Sequence, residues 1–188
     1  MTDTSVTSPH PVCIETWKED AAGVRNDLEK LGDLLWACVG AGASVSFVLP
    51  FSQNDAQAFW SGQVFPAVTA GSRCLLLARS AGNIVGTVQL DIATPPNQPH
   101  RAEVRKLLVH PNTRRRGIAK SLMIALEAQA REARRSLLTL DTVTGGPAEA
   151  LYLSLGYVAV GVIPGYALNV DSSVLEATSV MYKKLSSI

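Results

Sequence analysis

The sequence predicts one α/β (α+β) domain built on a sheet of about seven strands, and three observations carry that reading. Three strand-like runs precede residue 100 and a fourth spans 103–110. A long amphipathic helix then follows a basic loop containing Gly117. Beyond that helix, strand-like runs resume and alternate with a single short helix.

Each element has a local cause. Residues 1–11, rich in Thr, Ser and Pro, are expected to form a disordered tail, leaving 12–188 as the single domain. Val12 to Trp17 alternates enough for a first strand, at a sheet edge. Asp20 to Cys38 puts Val24, Leu28, Leu31 and Leu35 on one helical face. Gly40 to Ser46 is a loop of small residues, suited to close backbone approach and to bordering a substrate site. Ser52 followed by Asp55 marks a helix start, with Ala56, Phe59, Trp60 and Val64 facing inward and Pro66 closing the helix. Arg73 to Arg79 reads as a buried strand, Ala81-Gly82-Asn83 as a hairpin turn, and Ile84 to Ile92 as the returning strand.

The loop Thr94 to Pro99 leads into the central strand, Glu103 to His110, which Pro111 and Asn112 stop. In the helix that follows, Ile118, Leu122, Ala125, Leu126, Gln129, Ala130 and Ala133 form a stripe interrupted only at Gln129. Lys120, Glu127, Arg131 and Arg134 are expected on the solvated face. Ser136 to Val143 is a strand, Pro147 to Leu155 a short helix, and Tyr157 to Ile163 a strand. Pro164 to Val174 reads as a loop before the last strand, Leu175 to Leu185.

Composition narrows the function. A chain of 188 residues can bury a core without staples, and its formal net charge of +1 is too small for a dedicated nucleic-acid binder. Basic residues cluster locally instead, at Arg101, Arg105, Lys106, Arg114 to Arg116 and Lys120, which suits one polyanionic ligand. Cys13, Cys38 and Cys74 are odd in number and lack metal-ligand spacing, so no metal is implied and free thiols in a reducing compartment are expected. The first residues lack the basic and apolar regions of a signal peptide, and no run is suited to crossing a bilayer. The expectation is a soluble, cytoplasmic protein with no membrane or nucleic-acid partner.

The junction Arg114-Arg115-Arg116-Gly117-Ile118-Ala119, running on into Lys120 and Ser121, carries chemistry. The first N–H groups of a helix have no internal partner, and the helix dipole adds positive potential there. Gly117 removes the Cβ that would hold a ligand off the backbone, and Ala119 keeps the next turn small. With three arginines around it, the junction is an anion site suited to a pyrophosphate. A solvated charge run beside an ordinary turn glycine is the competing explanation for so short a pattern.

Strand, Arg-x-x-Gly-x-Ala and helix together resemble the acyl-CoA-binding motif of the GNAT superfamily of N-acetyltransferases. Ala148 to Tyr157 (AEALYLSLGY) resembles that family's second signature, at the expected distance and in the right order. The resemblance implies a mostly antiparallel, strongly twisted sheet with helices on both faces and two splayed parallel strands at its centre. It implies acetyl-CoA as the acyl donor, its pyrophosphate on Arg114 to Ser121. The pantetheine arm would pair with strand backbone at Leu107, Leu108 and Val109. Related enzymes often pair, which makes a homodimer an expectation.

Acetyl transfer from a thioester needs a neutral amine, a path for its proton, and an acid for the departing thiolate. Tyr152 stands where the family places that acid, close to the sulfur. Its hydroxyl suits the task because a phenol stays protonated above the pKa of a thiol. Two carboxylates flank the expected cleft, and either Glu103 or Asp141 is a candidate for the amine proton, directly or through water. Asp141 would otherwise cap the loop after it, and Glu103 would pair with Arg101 or Arg105. His100 and His110 lack any nucleophile motif around them, and His110 reads as a solvated loop residue.

Several segments resemble the tabtoxin resistance acetyltransferases of the same superfamily: Gly42 to Phe47, Arg101 to Val104, Leu140 to Thr142, and Pro164 to Tyr166, with Asp171 beyond. Ser46, the 169–173 loop, and Gly145 in place of a common asparagine depart from the pattern. The likeness implies a small-molecule amine as acceptor, a toxic amino-acid-like compound or an antibiotic. A protein or peptide amine, and a non-catalytic acyl-CoA sensor, are the alternatives.

Overall fold

The computed structural model describes residues 10–19 and 23–186. Most of the expected tail, and residues 20–22 at the expected start of the first helix, lie outside the described residues. Seven strands form one sheet in the order β1-β2-β3-β4-β5-β7-β6. They are β1 (Cys13–Thr16), β2 (Arg73–Ser80), β3 (Asn83–Asp91), β4 (Arg101–Val109), β5 (Leu137–Val143), β6 (Val158–Leu168) and β7 (Leu175–Lys184). Every neighbouring pair is antiparallel except β4 and β5. β4 and β5 pair only over Arg101–Glu103 and Leu137–Thr139, and beyond Glu103 the two strands part. The splay at the sheet centre is therefore present.

Helices cover both faces. On one lies α4 (Ile118–Glu132), whose Ile118, Leu122, Met123, Leu126 and Ala130 are buried against Leu76, Val88, Leu90, Val104, Leu138 and Leu140. The short α5 (Pro147–Ser154) adds Tyr152 to that core. On the other face, α1 (Val24–Gly40) and α2 (Gln53–Phe59) bury Leu31, Leu34, Leu35, Phe59 and Trp60 against Leu75, Leu77 and Leu108. β3 is buried along nearly its whole length because both helical layers cover it, which explains why its alternation is only rough. Gly86 lets α4 approach: a Cβ there would stand 2.9 Å from the Leu108 carbonyl oxygen and 3.2 Å from Ile118.

Three expectations need correction. Pro66 does not close the second helix. A π-helical segment, Trp60–Val64, widens the turn ahead of it, and Pro66 then sits in the first turn of α3 (Phe65–Thr69), where a missing N–H costs little. The segment Pro164 to Val174 is not all loop. β6 continues through Pro164-Gly165-Tyr166 to Leu168 with a register shift between Ile163 and Ala167, and as an edge strand it tolerates the proline. Glu127 is not on a solvated face: it is buried, and both its oxygens accept from Lys183 Nζ at 2.7 Å. Lys183 also donates to the Leu155 carbonyl at 2.7 Å, tying α4 to β7 and to the end of α5. The helix start holds as expected, with Ser52 and Asp55 forming a reciprocal capping box.

Candidate functional site

Strand register gathers a polar band on the α1 face of the sheet. Arg73 stands opposite Asp91, Gln89 opposite Arg105, and Asp91 opposite Glu103. Glu103 in turn lies beside Thr139, and Asp141 follows two residues along β5 on the same face. Arg73 Nη2 donates to Asp91 Oδ2 at 2.7 Å, Arg105 Nη1 to the same oxygen at 3.2 Å, and the Ala93 N–H to Oδ1 at 3.0 Å. Burial would raise the Asp91 pKa, but these hydrogen bonds outweigh it and hold the carboxylate below its usual range. Arg105 Nε also lies 3.7 Å from Glu103 Oε1, the surface partner expected for Glu103. Arg101 is occupied elsewhere, donating to Gln98 and Thr139.

A β-bulge shapes the middle of β4. Thr87 pairs with Leu108 and Gln89 with Arg105, so Val88 faces two residues, Lys106 and Leu107. Lys106 takes φ +51° and turns its side chain to the α1 face, although Arg105 beside it points that way too. There Lys106 Nζ donates to the Val45 carbonyl at 2.6 Å and to Ser46 Oγ at 2.9 Å. It also lies 5.3 Å from the Phe47 ring centroid and 5.9 Å from that of Phe59. Burial, with the Arg105 charge adding to it, brings the Lys106 pKa down to about 8, against the pull of Asp141 and Glu103. Reading β4 at period two hides this residue, because a lysine next to an arginine in an ordinary strand points to the opposite face. The small-residue loop ending at Ser46 thus folds over the central strand.

Tyr152 belongs to the core on the other face. It is buried at 6 % exposure, its ring 5.6 Å from that of Tyr157 in the α4-side core. Burial first, and the Asp141 charge second, raise its pKa, so the phenol stays protonated. Asp141 is exposed and belongs to β5, paired with Val180. It does not cap the following loop: Glu149 does, accepting from the Gly145 N–H at 2.6 Å. The Asp141 charge adds to burial in raising the Tyr152 pKa and works against burial at Lys106. His110 caps the turn after β4, its Nδ1 accepting from the Asn112 N–H at 3.3 Å.

The expected pyrophosphate site has a free approach. Gly117, at φ +77°, precedes α4 without any side-chain cap, and a Cβ built on it would meet nothing within 4 Å. The N–H groups of Ile118, Ala119 and Lys120 have no intrahelical acceptor, whereas the Ser121 N–H donates to the Gly117 carbonyl at 3.0 Å. Arg115 also has a positive φ, of 64°. Arg114, Arg115 and Arg116 are all exposed; Arg114 Nε donates to the Val109 carbonyl at 3.3 Å and Arg116 Nη2 to the His10 carbonyl at 3.2 Å. These residues fit a pyrophosphate in charge and in access. Along β4, His110 N–H donates to Val85, so the Val109 backbone groups face away from β3, and the Val109 carbonyl accepts from Cys38 Sγ at 3.5 Å as well as from Arg114. Leu107 is half-buried at the bulge, while Leu108 is buried in the α1-side core. Among the described residues, no cluster of His, Cys, Asp and Glu offers a metal site.

Comparison with known proteins agrees with this geometry. The profile of the Acetyltransferase (GNAT) family matches residues 31–157. An uncharacterised N-acetyltransferase from the hisH-hisA intergenic region of Azospirillum brasilense is 31% identical over 130 residues, which are 65% of this chain and 75% of that one. A putative acetyltransferase from Salmonella typhimurium, solved with acetyl-CoA, aligns over 93% of this chain and 94% of its own, at 15% identity and a TM-score of 0.73. The ribosomal-protein-alanine N-acetyltransferase of Brucella melitensis aligns over 92% and 99%, at 20% identity and a TM-score of 0.74. With the family profile spanning both the loop before α4 and Tyr152, the chain belongs to the GNAT family and is an acetyl-CoA-dependent N-acetyltransferase.

Proposed function

We propose that the chain acetylates the primary amine of a small molecule by direct transfer, in the cleft between the 41–52 loop and the polar band. The observation that supports this reading is the short β4–β5 pairing, beyond which the strands part, with Glu103 and Asp141 on one face and the buried Tyr152 packed on the other. Acetyl-CoA supplies a thioester carbonyl that the amine attacks, the C–N bond forming as the C–S bond breaks and the thiolate departs. The amides from Gly117 to Lys120, with Arg114 to Arg116 and the Ser121 hydroxyl around them, hold the pyrophosphate, and the β4 edge at Leu107 to Val109 lines the pantetheine arm.

Tyr152 gives its proton to the thiolate, and the second proton, which the nitrogen sheds after attack as it becomes an amide, restores the phenol. Asp141 or Glu103 takes the proton of the incoming ammonium. Asp141 is the freer of the two, because Glu103 lies 3.7 Å from Arg105 Nε. Glu103, tied to Arg105, orients the acceptor instead.

The acceptor in this reading is a toxic amino-acid-like compound or an antibiotic, in line with the likeness to the tabtoxin resistance enzymes, and the working form is a cytoplasmic homodimer. A peptide amine is the second reading, favoured by the likeness to the ribosomal-protein-alanine N-acetyltransferase of Brucella melitensis. Thiol release from acetyl-CoA across amino acids, polyamines, aminoglycosides and basic peptides, with a no-acceptor control, separates them. Release driven by one small-amine class is expected. Release with basic peptides alone would move the acceptor to a protein, and acetyl-CoA binding without release on any amine would make the chain a sensor.

A further inference from the structure

Tyr152 lies on the last turn of α5, and with eight residues that helix is too short to hold its end by itself. Helix ends fray, so the placing of Tyr152 depends on what fixes the end of α5. Part of the fixing is local. Gly156 takes φ +83°; its N–H donates to the Leu153 carbonyl and the Tyr157 N–H to the Tyr152 carbonyl, both at 3.0 Å, which closes the helix in a left-handed glycine turn.

The rest comes from two residues that the proton transfers do not use. Lys183 Nζ donates at 2.7 Å to each oxygen of Glu127 and at 2.7 Å to the carbonyl of Leu155, the C-cap of α5, so its three N–H groups are all spent. Glu127 is buried, and the Lys183 side chain is largely covered. Lys183 Nζ also lies 5.5 Å from the Tyr157 ring centroid, and that ring in turn lies 5.6 Å from the ring of Tyr152. The Tyr157 hydroxyl is buried without a partner, so Tyr157 is held through its backbone and its ring. Lys183 thus meets both supports of Tyr152: the carbonyl that ends its helix and the ring packed against its own.

A buried ion pair adds little net stability, because desolvation of the two charges offsets their attraction, and apolar residues would join α4 to β7 as well. What an apolar pair cannot do is donate to the Leu155 carbonyl, where a cation also matches the negative end of the helix dipole. We infer that Lys183, braced by Glu127, is a positioning residue for acetyl transfer, holding the last turn of α5 so that the Tyr152 hydroxyl stays aimed at the departing sulfur. The inference rests on the reading of Tyr152 as the acid and deepens it.

Replacing both partners, as Glu127→Leu with Lys183→Met, removes the brace without leaving either charge buried alone. Turnover should fall by about 10–10²-fold, the scale of a small misplacement of a reacting group, while acetyl-CoA affinity and the acceptor KM stay within about two-fold and the thermal midpoint shows the chain folded. Introduced into Tyr152→Phe, the same pair of changes should lower turnover no further. Unchanged turnover in the pair variant, or an equal fall with the Tyr152 hydroxyl already gone, would overturn the positioning role. In the full chain labelled with ¹³Cζ-tyrosine, the Tyr152 signal, assigned by its loss in Tyr152→Phe, should be single and sharp in wild type. In the pair variant it should broaden or split while the Tyr166 signal stays in place. An equally sharp Tyr152 signal in both would overturn the brace, whatever Tyr152 does in the reaction. Wild-type turnover in Tyr152→Phe alone would instead remove the acid, and with it the catalytic purpose of the brace, while the ring signal still shows whether the helix end is held.

Discussion

At the residue scale, Lys106 is the least expected side chain in the cleft. It sits on a left-handed backbone position in a bulge, covered by two aromatic rings, between Arg105 and the carboxylates of Glu103 and Asp141. Its pKa falls to about 8 from 10.5, and the sign of the consequence follows from proton counting. Below about pH 8 the lysine is charged in both states, and the fold bears the full cost of burying that charge. Between there and the unfolded value, the unfolded chain still binds the proton that the native chain has released, so this residue's contribution to stability rises with pH. Urea unfolding of wild type and Lys106→Met between about pH 7 and about pH 10 should show the difference moving in favour of wild type as pH rises. Parallel profiles would mean that the charge is not buried in solution. Nothing in the sequence announces this residue, because its direction depends on one extra residue in β4 and on a loop sixty positions earlier in the chain.

At the scale of elements, the strongly periodic parts were legible and the exceptions have physical causes. The β4–loop–α4 unit and the α5–β6 signature were readable because helix periodicity, Gly117 and Pro111 are local signals. Glu127 escaped because a buried acid looks like a solvated one until Lys183, on a strand formed much later, arrives to pair with it. β6 escaped because proline and glycine usually end a strand, whereas an edge strand does not need every N–H. That edge has a further consequence. Val158, Val160, Val162, Ile163, Tyr166 and Leu168 are all exposed, on both faces of β6, and no charged residue interrupts the strand. Bare apolar edges invite pairing, so β6 is the face on which the proposed homodimer would form. Light scattering at micromolar concentration should give twice the chain mass for wild type and the chain mass for Val160→Lys. A wild-type monomer would remove the dimer.

At the scale of the whole molecule, the sheet divides the labour. The α4 face holds the helix N-terminus proposed for the pyrophosphate and the buried Tyr152 proposed as the acid. The α1 face supplies the polar band and its carboxylates. The short β4–β5 pairing, only three residues on each strand, leaves the two strands apart beyond it at the sheet centre. The two family signatures made the donor side legible from sequence. The acceptor side was only half legible: Glu103 and Asp141 stand out as isolated acids, but Arg73 and Gln89 reach the cleft only through antiparallel register with β3 and β4.

The central claim is that this gap is a catalytic centre in which Tyr152 is the acid. Its most direct test is Tyr152→Phe, with acetyl-CoA affinity and acceptor-dependent turnover measured on the same preparation. Affinity should stay within about two-fold of wild type while turnover falls by about 10²–10⁴, the range for losing a positioned proton donor. Unchanged turnover at unchanged affinity would contradict the account and send the search for the acid elsewhere in the cleft.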